Sequence, residues 1–355
     1  MNALLKDPRR RNLALLALAA LISVALAFFA LWAEQQEVAP KETPQSFFPG
    51  LAGHIREIAR IHVVSKNGAF DIVLKPYKGW VIPARNDYPA SYQRLKETIV
   101  GFAALMTVEP KTARPDWLPL VDLGAPPKGN GVEIELRDGD GHDLAALIAG
   151  KSVDIGDPNG YVGLFVRKPN SSQSWLVKSP VEFKGDPADW IEKDIMEVDR
   201  ARIAEADVDP ASGESWEARR DKPSDADFAV SELPKGRELS DPGAADNVAT
   251  AIANFTFDDA RPARDFDFGN AARLITKTFD GLTVTVQTLK QGNDYWATVS
   301  AESAPNKLLA AGEARNINAH TDGWAYKLPE AEGQLFMTTL DSLLKPIAAK
   351  TPARP

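Results

Sequence analysis

The sequence predicts an α+β protein: two tandem repeats of an antiparallel sheet plus helices, preceded by one N-terminal transmembrane helix. Three observations carry this reading. Leu13 to Ala33 is apolar throughout except for Ser23. Beyond it, short runs alternate apolar and polar residues between turn-forming pairs, the period of half-buried strands. The order of these elements then occurs twice, at a spacing of roughly 140 residues. The resulting division is a basic cytoplasmic tail (1–11), an anchor (12–33), a tether (34–54), a first repeat (55–205), a second (206–346) and a C-terminal tail (347–355).

At 1.5 Å per residue the apolar run spans about 30 Å, the thickness of a bilayer hydrocarbon core. Lys6, Arg9, Arg10 and Arg11 precede it and hold the N-terminus in the cytoplasm, while Trp32 suits the far interface. The anchor residues are therefore Arg9, Arg10, Arg11, Leu13, Phe28, Phe29 and Trp32. The expectation is a single-pass bacterial inner-membrane protein with a periplasmic C-terminal domain. A cleaved signal peptide is the competing reading, with Ala25-Leu26-Ala27 as the cleavage site. Phe28, Phe29, Leu31 and Trp32 prolong the apolar run past that site and favour an uncleaved anchor.

Glu34 to Pro49 is polar and proline-bearing, as a tether should be. Ile58–Val64 and Ala69–Leu74 flank Ser65-Lys66-Asn67-Gly68, and Asn-Gly between β-branched runs signals a hairpin. Gly79–Ile82 adds a third strand. Pro89 opens a helix with Tyr92, Leu95, Ile99, Phe102 and Leu105 at helical spacing, a core-facing stripe. Val132, Ile134 and Leu136 alternate with Glu133, Glu135 and Arg137, and Asp138-Gly139-Asp140-Gly141 turns the chain into a returning strand, Asp143–Ile148. Gly160–Arg167 and Ser174–Lys178 follow as strands, and Asp186-Pro187 opens a short helix carrying Trp190, Ile191 and Ile195.

The second half matches in order. A helix begins at Asp241-Pro242 and presents Val248, Ile252 and Phe255. Thr256–Asp259 ends it as Thr107–Pro110 ends the earlier one. Leu274–Phe279 and Leu282–Leu289 make a hairpin in the place of residues 132–148. Tyr295–Val299 stands for Tyr161–Phe165, and Gly323–Lys327 for Ser174–Lys178. Phe336, Leu340, Leu343 and Leu344 form a closing helix. Five elements in one order point to duplication.

Composition narrows the chemistry. Charged residues make up 25% and hydrophobic ones 44%, ordinary globular values. The formal charge is −8; residues 1–11 carry +3, which leaves −11 for the rest. Such a surface disfavours nucleic acid or anionic lipid as a partner. There is no cysteine, which removes disulfides, thiolate nucleophiles and cysteine metal sites. The segment Asp138–Asp143 lacks the length and closing glutamate of an EF-hand, and a hairpin turn accounts for its glycines and aspartates. His54, His62, His142 and His320 form no zinc-type motif, and no Gly-x-Ser-x-Gly or phosphate-binding glycine loop occurs. Carboxylate pairs such as Asp258-Asp259 and Asp265 with Asp267 are those an acidic surface generates by chance. Trp175 and Trp324 occupy matched strand positions and Trp80 also lies on an expected strand, which suits core packing. No cofactor, metal site or catalytic residue is expected.

The anchor, the strand with Gly79-Trp80, the Tyr92–Leu105 helix, Val121-Asp122-Leu123-Gly124 before a hairpin, Ile155-Gly156 to Tyr161-Val162, and Trp175-Leu176-Val177 together resemble a bacterial family. It is classed as domain of unknown function 4340, and its members occur beside gliding-motility-type ABC transporter auxiliary proteins. The resemblance covers most of residues 55–346 and departs at Val121–Gly124, where Ala125-Pro126 replaces a longer Gly-Leu-x-x-Pro phrase. It implies a non-enzymatic membrane-anchored accessory or scaffold subunit with protein partners in an ABC-type transport complex, and transfers no catalytic residues. The alternatives from other classes are a carboxylate-dependent envelope hydrolase, marked by a convergent acid pair, and a glycan-binding module, marked by solvent-facing indoles.

Overall fold

The structure is a computed structural model that describes residues 44–346. The basic tail, the whole apolar run with its anchor residues, the first part of the tether and the C-terminal tail lie outside these residues. Among the described residues no helix is long and apolar enough to cross a membrane.

Two antiparallel sheets dominate, with a few helices beside them. The first contains β1 (Ile58–Ser65), β2 (Gly68–Lys75), β3 (Gly79–Ile82), β4 (Tyr88–Pro89), β5 (Met106–Pro110), β6 (Val132–Asp138), β7 (Asp143–Asp154), β8 (Val162–Arg167) and β9 (Ser174–Ser179). The second contains β10 (Ile203–Asp209), β11 (Trp216–Arg219), β12 (Ala229–Val230), β13 (Asp259–Pro262), β14 (Ala272–Thr278), β15 (Leu282–Gln291), β16 (Asp294–Ser303) and β17 (Trp324–Leu328). The helices are α1 (Leu51–His54), α2 (Tyr92–Ala104), α3 (Asp246–Ala249), α4 (Leu308–Thr321), α5 (Glu330–Phe336) and α6 (Leu340–Leu343).

The strand order is β4-β3-β2-β1-β6-β7-β8-β9-β5 in one sheet and β12-β11-β10-β14-β15-β16-β17-β13 in the other. With β4 set aside, the second order repeats the first strand for strand. The irregularities repeat too. The β1–β6 register slips between Ile58 and Arg60, and the β10–β14 register slips between Ile203 and Glu205. Ala90 bridges Ile191 in the first half, and Leu239 bridges Leu344 in the second. Ser91 and Ser240 donate their N–H to Trp190 and Leu343, at 2.7 and 2.8 Å.

Local sequence explains most elements. In the β1–β2 hairpin Ser65 faces Gly68 across the Lys66-Asn67 turn, where Gly68 takes a φ of 120° that a side chain would resist. In β6, Ile134 and Leu136 are fully buried while Glu133 and Glu135 stay half-exposed. Leu95, Phe102 and Leu105 of the α2 stripe are buried, but Tyr92 is 71% exposed. The helix begins after Ser91, whose hydroxyl accepts from Arg94 N–H, while Pro89 belongs to β4. Val248, Ile252 and Phe255 are buried as expected, but no helix opens at Asp241-Pro242: α3 starts at Asp246, a 3-10 turn covers Ala251–Asn254, and Phe255 follows it in extended conformation. Buried side chains from both sheets form one continuous core. Tyr88 packs edge-on to Trp324 at 4.8 Å between ring centroids.

Several expectations are corrected. Thr107–Pro110 and Asp259 are not helix ends but parts of β5 and β13, which pair with β9 and β17. Residues 186–197 form only a 3-10 turn, Pro187–Asp189; the following chain is extended because it bridges Ala90. Trp190 and Ile195 are buried by those tertiary contacts and not by a helical face. The boundary at 205/206 falls inside β10, which belongs wholly to the second sheet. The later part of the expected 34–54 tether belongs to the fold, since Ser46 bridges Met106 and Phe47 and Leu51 are buried. Helix α4 has no counterpart among the expected elements: its buried positions are Ala310, Ala314, Ile317 and Thr321, a stripe too small-sided to stand out.

The far face of the first sheet is covered by the turn Pro115–Val121. Leu118 and Leu123 pack there on Ile148. Gly150 permits the approach, since a Cβ on it would lie 2.2 Å from the Val121 carbonyl oxygen.

Candidate functional site

Acidic clusters on the strands are the first place to look for chemistry. On the second sheet Glu205 and Asp207 of β10 converge with Glu217 of β11. The ammonium of Lys277, on β14, enters this group and lies 2.9 Å from Asp207. Register places it there, because Glu205 is opposite Lys277. The hydrogen bonds it donates to Glu205 and then to Asp207 hold the Lys277 ammonium above its ordinary pKa. The first sheet carries a counterpart: Arg137, at the same point beside the slip, pairs with Glu135 and, at 2.8 Å, with Asp143.

Next to the Lys277 group is a cavity of about 360 Å³ lined by Asp209, Trp216, Glu217, Ser231, Glu232 and Arg273, among others. Its serines are engaged: Ser231 Oγ donates to Glu217 at 2.9 Å and Ser215 Oγ to Asp209 at 3.0 Å. The Trp216 indole is 5% exposed, so it offers no face for stacking a ligand.

The Asp138 turn is self-contained. One carboxylate oxygen accepts from the N–H groups of Asp140 and His142 at 2.9 and 2.8 Å. The other lies 2.9 Å from His142 Nδ1. That side-chain bond is the chief reason the Asp138 carboxyl is held below its usual range and His142 is raised above its own. Of the other histidines, His62 meets Asp71 at 2.9 Å across the β1–β2 register, His54 meets Glu57 at 3.0 Å, and His320 contacts the Asn316 carbonyl.

The acid pairs separate. Asp259 binds Arg85 from the first half, whereas Asp258 is exposed and donates its N–H to Lys327. Asp265 is 4.0 Å from Arg264, and Asp267 accepts from Gly269 N–H. Most of these acids meet a nearby cation, hydroxyl or N–H group: Asp207 meets Lys277, Glu217 the Ser231 hydroxyl, Asp259 Arg85 and Asp267 the Gly269 N–H. Trp80, Trp175 and Trp324 pack against the core as expected. The anchor residues Arg9, Arg10, Arg11, Leu13, Phe28, Phe29 and Trp32 fall outside the described residues.

Two groups escaped the reading of the sequence. Arg167, at the end of β8, is 6% exposed and donates to the carbonyls of Leu123, Pro169 and Ser171. Glu133 has its pKa pushed up, first by burial and then by Glu135, with Arg167 opposing. A single arginine closing the apolar run Val162–Val166 was the only local signal.

The chain is thus a two-sheet α+β protein, mostly sheet, with acidic groups gathered on its strands and turns. The family model for a domain of unknown function (DUF4340) matches residues 80–272, and the chain belongs to that family. The match is narrower than the resemblance across residues 55–346, running from β3 into the start of β14. No curated protein and no solved structure matches.

Proposed function

We propose that this chain works by association, as a single-pass accessory subunit held at the bacterial inner membrane with its folded part in the periplasm. Its partners are the components of an ABC-type transport complex. The observation that carries this reading is the Leu13–Ala33 run behind Lys6, Arg9, Arg10 and Arg11, which has the length and charge bias of an anchor. Anchoring raises the effective concentration at a membrane complex, so weak contacts suffice. The matching strand orders support descent of both halves from one duplicated unit. Acid clusters tied to Lys277 and Arg137, and mostly packed indoles, give the hydrolase and glycan-binding readings less support.

A C-terminal alkaline phosphatase fusion tests the topology: it should be active in cells, and an inactive fusion would refute it. Affinity purification of the full chain in mild detergent should recover ABC-type subunits. Replacing the anchor by a cleavable signal should abolish both that recovery and cellular function. Recovery that survives loss of the anchor would sink the tethering mechanism.

A further inference from the structure

The start of the described chain and an exposed apolar pair are both reached from the Pro110 end of β5. Residues 45–47 pair antiparallel with β5: Thr107 N–H donates to Gln45 at 2.8 Å and Phe47 N–H to Leu105 at 2.9 Å. Pro44 therefore sits toward the Pro110 end of β5. From that end the chain continues beside Ser174 through Lys111 and Thr112 into the turn Pro115–Val121.

On this turn Trp117 is 48% and Leu120 73% exposed, while Leu118 between them is buried. Leu118 packs on Leu123 and Ile148, and Leu123 N–H donates to the Leu118 carbonyl at 2.9 Å. The inward residue thus holds the two outward ones rigidly in place. Pro115 and Pro119 have no N–H, which leaves fewer donors in need of water. Charges here cancel locally, since Arg114 pairs with Asp116 and Lys111 with Glu109. The Arg114 guanidinium also lies 4.7 Å from the Trp117 ring centroid. An amphipathic indole beside a leucine on a neutral protrusion is suited to the headgroup zone of a bilayer.

We propose that this turn is a second membrane contact, with Trp117 and Leu120 seated in the interface of the bilayer that holds the anchor. The inference rests on the anchor reading above. Residues 34–43 are the only chain between the apolar run and Pro44, and ten residues reach at most about 35 Å. The Pro110 end of β5 is thereby kept close to the lipid. Occupancy should be insensitive to salt, because the patch carries no net charge.

The absence of cysteine makes the test clean. Leu120→Cys and, as a control, Leu309→Cys, which replaces a leucine 91% exposed in the second half, are labelled with an environment-sensitive fluorophore. The full chain is reconstituted in phosphatidylcholine–phosphatidylethanolamine vesicles containing doxyl lipid. The label at 120 should shift to the blue and be quenched several-fold more than the label at 309, and Trp117→Ser should weaken that quenching. Equal quenching at 120 and 309, in a chain that resists carbonate extraction, overturns the contact and leaves the anchor standing. Release by carbonate instead defeats the anchor reading. Shielding of the label in native membranes but not in pure lipid would assign the surface to a protein and also overturn the proposal.

Discussion

Arg167 shows how one side chain ties a cover onto a sheet. Burial pulls its pKa down from the ordinary value, yet its guanidinium spans carbonyls on two sides: Leu123 at 2.9 Å through Nε, Pro169 at 2.8 Å through Nη1. Hydrogen bonds to a charged donor count for more than neutral ones, and their loss strands several acceptors. Arg167→Met should cost about 3 kcal/mol in urea unfolding, and Arg167→Lys should recover less than half, because one ammonium cannot reach both sides. His142 gives a second expectation at this scale. Its raised pKa means that its bond to Asp138 is fully present below the ordinary histidine value and is lost as pH rises through the raised one. Asp138 is lowered, so its share is present above the ordinary carboxylate value and is lost as pH falls through the lowered one. An NMR titration should place His142 above 6.5, and Asp138→Asn should return it to about 6.5.

At the scale of elements, each half closes on a pair of crossing segments. In the second half Ser240 N–H donates to Leu343 and Lys345 N–H to Glu238, at 2.8 and 2.9 Å, with Leu340 and Leu344 buried. A chain ended after residue 346 should melt like the full folded part. One ended at Thr339 should lose about 4 kcal/mol, from two buried leucines, measurable by thermal unfolding. These closures also mark where the sequence stops being readable. Hairpins such as β1–β2 and β14–β15 were legible because alternation and turn chemistry are local. Strands β5 and β13 were not, because their partners β9 and β17 lie more than sixty residues away and short edge strands carry little pattern of their own. Strands β11 and β12 are separated by a Pro- and Asp-rich stretch that hides them. The acid clusters could be foreseen as acids, but their pairing with Lys277 and Arg137 depends on register, which composition does not encode.

Across the whole molecule, the continuous core argues for one cooperative unit in spite of the two sheets. Tyr88 of the first half reaches Trp324 and Tyr326 of the second and donates its hydroxyl to the Glu192 carbonyl. Arg85 binds Asp259 across the same seam. Calorimetry of residues 44–346 should show a single transition, and Tyr88→Ala should lower it by several degrees. Two separate transitions in the unaltered protein would show that the halves are held together only loosely.

The strand that residues 45–47 add to β5 has a mechanical consequence. Any pull applied to the folded part through residue 44 passes first through the few bonds joining Gln45 and Phe47 to Thr107 and Leu105. Tension directed along β5 loads these bonds together in shear, whereas sideways tension peels them one at a time. Single-molecule stretching from residue 44 should therefore show an early, small extension as this strand detaches. The main sheets should yield later, at higher force. A chain built this way would lengthen under load before surrendering its fold.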